Sequence, residues 1–394
     1  MIDRPRAAAA PTITVLHSAA TWLPPTMPWL RDLVQSLPPD VVCHVVAQRA
    51  RDIERSDVAR LHLPRRPGMA ERLVRRVRRL AGRRVVARHI AVVALRVRPD
   101  ILHSHFGGRG WSDRHAARRV GARHVTSFYG FDVDFQPRRA PVWRERYRDL
   151  FGSVQRVLVL GPRMADRLRE LGCPDDKLVV HHIGVDTATV DFRPRQWAPD
   201  RPLRILMAAS FRPKKGLPLG IEAAARLARR VPLEMTLIGD AGSDARSLDE
   251  KARILEAIET GGLGDRVRML GYQPRSVLFD EAYRHHVYLA PSLTDDSGDT
   301  EGTPVALMDM MASGMPVVST IHSDIPEVVQ HGRTGRLAPE SDVDAIEREL
   351  GWWVDHPDEW PALLTAARAH IDREFDARRQ GERLATLYRE LLEG

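Results

Sequence analysis

Only two cysteines, Cys43 and Cys173, occur in 394 residues, and they stand far apart in the chain. A disulfide framework is excluded, and such sparing use fits a reducing cytosol. No apolar run approaches the roughly 20 residues of a membrane-spanning helix. The first residues, Met1 to Pro11, carry arginines and an alanine run too short for the apolar stretch of a signal peptide. There is no internal repeat at a solenoid period. Wholesale disorder is excluded as well, because 43% of residues are hydrophobic against 28% charged. What is present is a globular chain too long for one ordinary core, so two domains of roughly 190 residues are expected. The expected location is the cytoplasm, in soluble or peripheral form.

Charge is unevenly placed. Between Arg65 and Arg88 stand ten arginines and one acid, Glu71, a local balance of +9 in a chain whose net charge is +8. The remainder is therefore close to neutral. Leu73, Val77, Leu80 and Ala81 recur at helical spacing within the run, with arginines on the other faces. Two readings stand level: a basic amphipathic helix at an anionic membrane surface, on the inner face of the membrane, or a core-packed helix with a solvated charged face. The run lacks interleaved aromatics for base stacking, so nucleic acid would bind it only without sequence preference and in a salt-labile way.

Short β-rich runs alternate with helical patterns. Strands are expected at 12–17, 41–47, 100–105, 124–129, 156–160 and 178–183 in the first half. In the second half they are expected at 203–209, 234–239, 267–271, 287–290 and 317–319. Helices are expected at 69–97, 162–171, 217–230, 246–260, 275–283, 305–312 and 342–353. The alternation points to an α/β fold with parallel sheets, and the continuous apolar strands to sheets covered on both faces. The aperiodic stretch from Gly184 to Arg201, with two prolines, reads as the domain boundary. The domains are thus expected at 1–185 and 186–370, with a tail helix in 371–394 spaced by Leu384, Leu387, Tyr388 and Leu391.

The densest signal is the segment from Ala290 to Thr320, which reads as strand end, loop, helix, tight turn and strand. Glu301 stands just before the helix and Asp309 well inside it, with Gly302 and Pro304 shaping its start. A helix start offers free amides and a positive dipole end, which favour an anion such as a diphosphate. The acids Asp295, Asp296, Asp299 and Glu301 lack the spacing of a calcium loop. Ser210-Phe-Arg-Pro-Lys-Lys-Gly216 is a second anion-binding candidate, a cationic loop between a strand and a helix. Gly239-Asp240 follows another strand, and its helix lacks a full dinucleotide fingerprint.

These motifs resemble the retaining glycosyltransferases of family 4, in which a Glu is followed eight positions on by a second Glu. Here the second is Asp309, shorter in reach by about 1.5 Å. The resemblance implies a GT-B fold: two Rossmann-like doubly wound domains facing each other across a cleft, with the tail helix crossing back onto the first. It implies catalytic roles for Glu301 and Lys215, with Arg212 standing in for a family arginine whose place Ser210 occupies. It implies a donor site from Ser210, Gly239, Asp240, Tyr272, Asp309 and the amides of Gly302, Thr303 and Val305 after Pro304, with Asp309 on the ribose diol. It implies an acceptor side from His105 in His103-Ser-His-Phe, from Tyr129 and Asp132 in Thr126-Ser-Phe-Tyr-Gly-Phe-Asp, and from the Trp22–Trp29 loop containing Thr26. Tyr129 stands where the family often has His, and Asp324 where a Gly is common. The segment 318–327 is similar to enzymes of exopolysaccharide assembly of the colanic-acid type.

The expected function is transfer of a sugar, with retention, from a UDP- or GDP-type sugar to a hydroxyl of a saccharide or polyprenyl-linked acceptor. No metal and no cofactor are expected. Asp132-Val-Asp134 matches the metal motif of another fold but lies in the wrong half of the chain. Competing readings are a sugar-nucleotide epimerase or hydrolase and, in a different class, a nucleic-acid-binding protein.

Overall fold

The computed structural model describes residues 12–23, 27, 29–50, 60–64 and 86–394. Most of the basic run from Arg65 to Arg88, and Thr26, lie outside the described residues. The first sheet contains β1 (Ile13–Trp22), β2 (Val41–Ala50), β3 (Leu61–His62), β4 (Ile101–His105), β5 (Arg123–Ser127), β6 (Arg156–Val159) and β7 (Leu178–Val180). Its seven strands are parallel, in the order β3-β2-β1-β4-β5-β6-β7. The second sheet contains β8 (Leu203–Ala208), β9 (Leu233–Ile238), β10 (Val267–Met269), β11 (Val287–Ala290), β12 (Val317–Thr320) and β13 (Arg336–Ala338). Its six strands are also parallel, in the order β10-β9-β8-β11-β12-β13.

Both orders reverse direction beside the first strand of the sheet, between β1 and β4 and between β8 and β11. Such a switch point leaves a crevice beyond the carboxyl ends of the strands, where ligands of open α/β sheets bind. Central strands such as β4 and β12 are buried along their whole length, as sheets covered on both faces require.

Helix starts follow local chemistry. Asp244, Asp342 and Asp376 each cap a helix by accepting the amide three residues on. The helix Ala377–Glu393 returns to the first sheet, where Leu384, Ala385, Tyr388 and Leu391 pack on Ile13, Val15, Val41, Ile101, Val125 and Leu158. Each such buried apolar side chain contributes about 1.5–3 kcal/mol. The preceding helix, Trp360–Glu374, stays with the second domain and packs on the helix Val305–Ala312.

The helix Gly107–Val120, the helix Val142–Phe151 and the short strands β3 and β13 were not anticipated from periodicity. β5 stops at Ser127 rather than running to Tyr129, because the Tyr129 amide donates to the Asp132 carboxylate instead of a neighbouring strand. Within the expected helix at 69–97, the described part is Val86–Val97. No helix among the described residues is long and apolar enough to cross a membrane.

Candidate active site

A cleft of about 430 Å³ lies between the two sheets. Its second-domain wall comes from the ends of β8, β9 and β11 and the loops after β8, β9, β10 and β11, including Ser210, Gly239, Tyr272 and Ser292. Its first-domain wall is apolar and aromatic: Met27, Trp29, Phe106, Tyr129, Phe131 and Leu160.

Charge converges at one point of this cleft. Glu301 is 7% exposed, and its Oε2 accepts from Lys215 Nζ at 2.8 Å, with Lys214 Nζ 3.6 Å from Oε1. Burial pushes the Glu301 carboxyl up, but Lys215 and then Lys214 overcome it and bring it down to about 2. Lys214 also donates to Asp299 at 3.1 Å and to the Thr300 carbonyl at 2.8 Å. Burial disfavours its charge, yet Glu301 and Asp299 raise its pKa. The Glu301 amide donates to His322 Nε2 at 3.0 Å, and Glu340 holds the other ring nitrogen at 2.7 Å. The loop is thus oriented from behind while its carboxylate faces the lysines.

Several polar groups here have no protein partner. Glu301 Oε1 and Thr303 Oγ1 are buried without a hydrogen bond. Among the described residues, no protein acceptor takes the amides of Gly302, Thr303, Val305 or Ala306. Two lysines and a run of free amides at a helix start are the donors of an anion cradle.

Other expected donor residues stand apart from the lining. Arg212 is turned to Asp244 at 2.8 Å and does not line the cleft, whereas Lys214 does. Asp240 pairs with Lys251 at 2.7 Å, leaving Gly239 as the lining member of that turn. Asp309 is 3% exposed and held by Arg275 at 2.7 and 3.3 Å, behind the lining residues Val305 and Ala306. Burial raises its pKa against the pull of Arg275. Asp324 does not reach the donor pocket. It crosses to the first domain and accepts the amides of Arg163 at 2.9 Å and Met164 at 3.3 Å, at the start of the helix Pro162–Glu170.

On the first-domain side, Tyr129 lines the cleft and its hydroxyl bonds His105 Nδ1 at 2.7 Å. His105 itself is fully buried. Its Nε2 lies 3.1 Å from His17 Nδ1, and His103 bonds Ser127 and Tyr388 at 2.7 and 2.6 Å. The three rings His17, His103 and His105 form a cluster that the sequence did not bring together. Burial keeps all three imidazoles neutral, with His17 down to about 3. Five of their six nitrogens are engaged, and only His17 Nε2 lacks a partner. The rings therefore serve as a hydrogen-bonded stack behind Tyr129. Asp132 is also buried behind the lining, where it accepts the amides of Gly107 at 2.7 Å and Tyr129 at 3.0 Å. Burial lifts it to about 6 despite those bonds.

Sequence reasoning singled out Lys215 but passed over Lys214, whose adjacency was the available signal. It named the loop that ends at Trp29 and the segments that contain Phe131 and His322, but gave those two side chains no role.

Two doubly wound domains with a charged cleft between the carboxyl ends of their strands define the GT-B class of glycosyltransferases. The family model described as glycosyl transferases group 1 matches residues 190–369, and that described as Glycosyltransferase Family 4 matches residues 29–189. The chain is 34% identical over 297 residues to a putative colanic acid biosynthesis glycosyltransferase of Salmonella typhimurium, spanning 73% of this chain and 70% of that one. It is 34% identical over 298 residues to the amylovoran biosynthesis glycosyltransferase of Erwinia amylovora, spanning 73% and 70%. Among solved structures it resembles a glycosyltransferase from Rickettsia africae, with a TM-score of 0.77, 16% identity and coverage of 97% and 99%. It also resembles Anabaena HepE in complex with UDP and glucose, with a TM-score of 0.77, 15% identity and coverage of 96% and 100%. The chain belongs to glycosyltransferase family 4 and is a glycosyltransferase, which disfavours the epimerase, hydrolase and nucleic-acid readings.

Proposed function

We propose that the protein moves a sugar, with retention, from a UDP- or GDP-sugar to a hydroxyl of a saccharide acceptor, polyprenyl-linked, in exopolysaccharide assembly. The observation that carries the reading is the anion cradle: Lys214, Lys215 and the free amides at the start of the helix Val305–Ala312 surround Glu301. Departure of a nucleoside diphosphate places growing charge on its phosphate oxygens. Fixed donors already aimed at that point stabilise it without reorganisation, usually the largest catalytic contribution. Lys214 and Lys215 supply the positive charge, so the scheme runs without a metal. Glu301 is ionised at neutral pH and accepts hydroxyls of the donor sugar. The acceptor attacks from the face of the leaving group, and a phosphate oxygen takes its proton, so no side-chain base is required. The aromatic wall of Trp29, Tyr129 and Phe131 receives the acceptor.

We assign the reaction to the cytoplasm, with the Arg65–Arg88 run holding the enzyme peripherally at the anionic inner face of the membrane. Flotation with anionic and neutral liposomes tests that assignment, and equal partition into both counts against it. The principal test is thermal shift with nucleoside diphosphates followed by transfer from the stabilising donor. A ligand bound only by the folded form raises the melting point. Absence of any nucleotide stabilisation, or release of free sugar as fast with acceptor absent as present, overturns the proposal. Unchanged turnover in a chelator is expected.

A further inference from the structure

The two acids of Asp132-Val-Asp134 face different ways. Asp132 is consumed within the first domain by the amides of Tyr129 and Gly107, whereas Asp134 reaches across the cleft. Asp134 is 8% exposed, and its Oδ2 accepts from Thr300 Oγ1 at 3.0 Å. Its Oδ1 accepts from Arg167 Nε at 2.9 Å, with Arg138 at 3.7 Å. Arg167 belongs to the helix Pro162–Glu170, the helix that Asp324 caps from the second domain. Asp134 is therefore anchored on a rigid first-domain element.

Thr300 is the residue before Glu301, and its carbonyl is the one that Lys214 holds at 2.8 Å. The backbone closes at the same place: a Cβ on Gly302 would stand 2.7 Å from the Tyr129 carbonyl oxygen. Immediately beyond, Glu301 Oε1 and Thr303 Oγ1 are buried without a hydrogen bond. Within the second domain, His322 holds only the Glu301 amide, and the two lysines hold its carboxylate. Among the described residues, the side-chain hydrogen bond from the first domain to this segment is Asp134–Thr300.

We propose that Asp134 is a positioning residue: through Thr300 it fixes Glu301 and Lys214 when the two domains meet, so that the acceptor-bearing domain completes the donor site. The catalytic consequence rests on the transfer reaction proposed above, but the physical link does not. A carboxylate is suited to the task because the arginine side holds it while a second oxygen stays available to the hydroxyl.

The test uses the full chain with Asp134→Ala, Asp134→Asn, Thr300→Val and the Asp134→Ala/Thr300→Val double variant. Hydrogen exchange of amides 298–304 in the unliganded protein should quicken in Asp134→Ala and Thr300→Val, and much less in Asp134→Asn, which keeps an acceptor for Thr300. In transfer assays kcat should fall about tenfold or more in each of the first two, as loss of one charge-assisted hydrogen bond implies. Nucleoside diphosphate affinity should fall as well, because Lys214, held by the Thr300 carbonyl, belongs to the cradle. The double variant should be no slower than the slower single one. Unchanged exchange, or multiplicative losses of kcat in the double variant, overturns the inference. A parent protein that binds no nucleoside diphosphate overturns the proposed reaction instead, and exchange alone then decides the link.

Discussion

Replacing Lys215 by methionine keeps the stem and removes the charge that faces Glu301. The Glu301 carboxyl lies at about 2 instead of 4.5, because Lys215 and Lys214 outweigh its burial. At 1.36 kcal/mol per unit, that net displacement amounts to about 3 kcal/mol left after the two ammonium groups have offset burial. Lys215 is the nearer, at 2.8 Å against 3.6 Å, and carries the larger share, about 2 kcal/mol. A carboxyl depressed by folding adds stability above its unfolded range and loses it as pH falls through the folded value. Lys215→Met is therefore expected to be about 2 kcal/mol less stable than the parent at pH 7. The gap should narrow as pH falls from about 4.5 toward 2.5. Urea unfolding at pH 7, 5 and 3 measures this, with calorimetric titration of UDP and GDP on the same samples. Nucleoside diphosphate affinity should fall at least about tenfold, the loss of one charge-assisted contact. A gap that stays constant from pH 7 to pH 3, or parent-like nucleotide affinity, would refute the assignment of Lys215 to both partners.

Gly239 has φ 125°, and a Cβ there would stand 1.8 Å from the Ala209 carbonyl oxygen. Gly239→Ala should cost about 3 kcal/mol or more and lower the melting temperature sharply. Burial lifts Asp324 to about 6, so the native state holds a proton that the unfolded chain has released, and stability falls as pH rises from about 4 to 6. Asp324→Asn keeps one acceptor for the helix start and removes that fall, gaining about 1–2 kcal/mol on the parent between pH 4.5 and 7.5 in thermal unfolding. Arg275→Ala strands the buried Asp309 carboxylate and should cost about 3 kcal/mol by denaturant midpoint, with partial recovery in Arg275→Ala/Asp309→Asn.

The parallel architecture was legible because strands such as Val287–Ala290 and helices such as Val305–Ala312 carry strong apolar patterns and matched the structure end to end. The helix Gly107–Val120 was not legible. Its glycines read as a turn, yet Gly107 and Gly110 are there because a Cβ would meet the Phe128 ring at 2.2 Å and Thr126 at 2.5 Å. Only packing against residues near position 127 reveals that need. The cradle was legible in Glu301 and Lys215, whose spacing to a strand end and a helix start fixes their place. Arg212, Asp240 and Asp309 were not, because each is drawn off by a partner 11 to 34 residues away, Asp244, Lys251 and Arg275, chosen by tertiary geometry. The histidine stack was half visible: the spacing of His103 and His105 placed them on one side of a strand, but His17 comes from β1.

The tail helix has a consequence for synthesis. The first sheet is spun out early, but its cover, Leu384 to Leu391, leaves the ribosome long after it. At about 5–20 residues per second, the roughly 200 intervening residues take some 10–40 s. Through that interval Ile13, Val15, Val41, Ile101, Val125 and Leu158 form an open greasy face on the nascent polypeptide, a natural client surface for chaperones until the covering helix emerges.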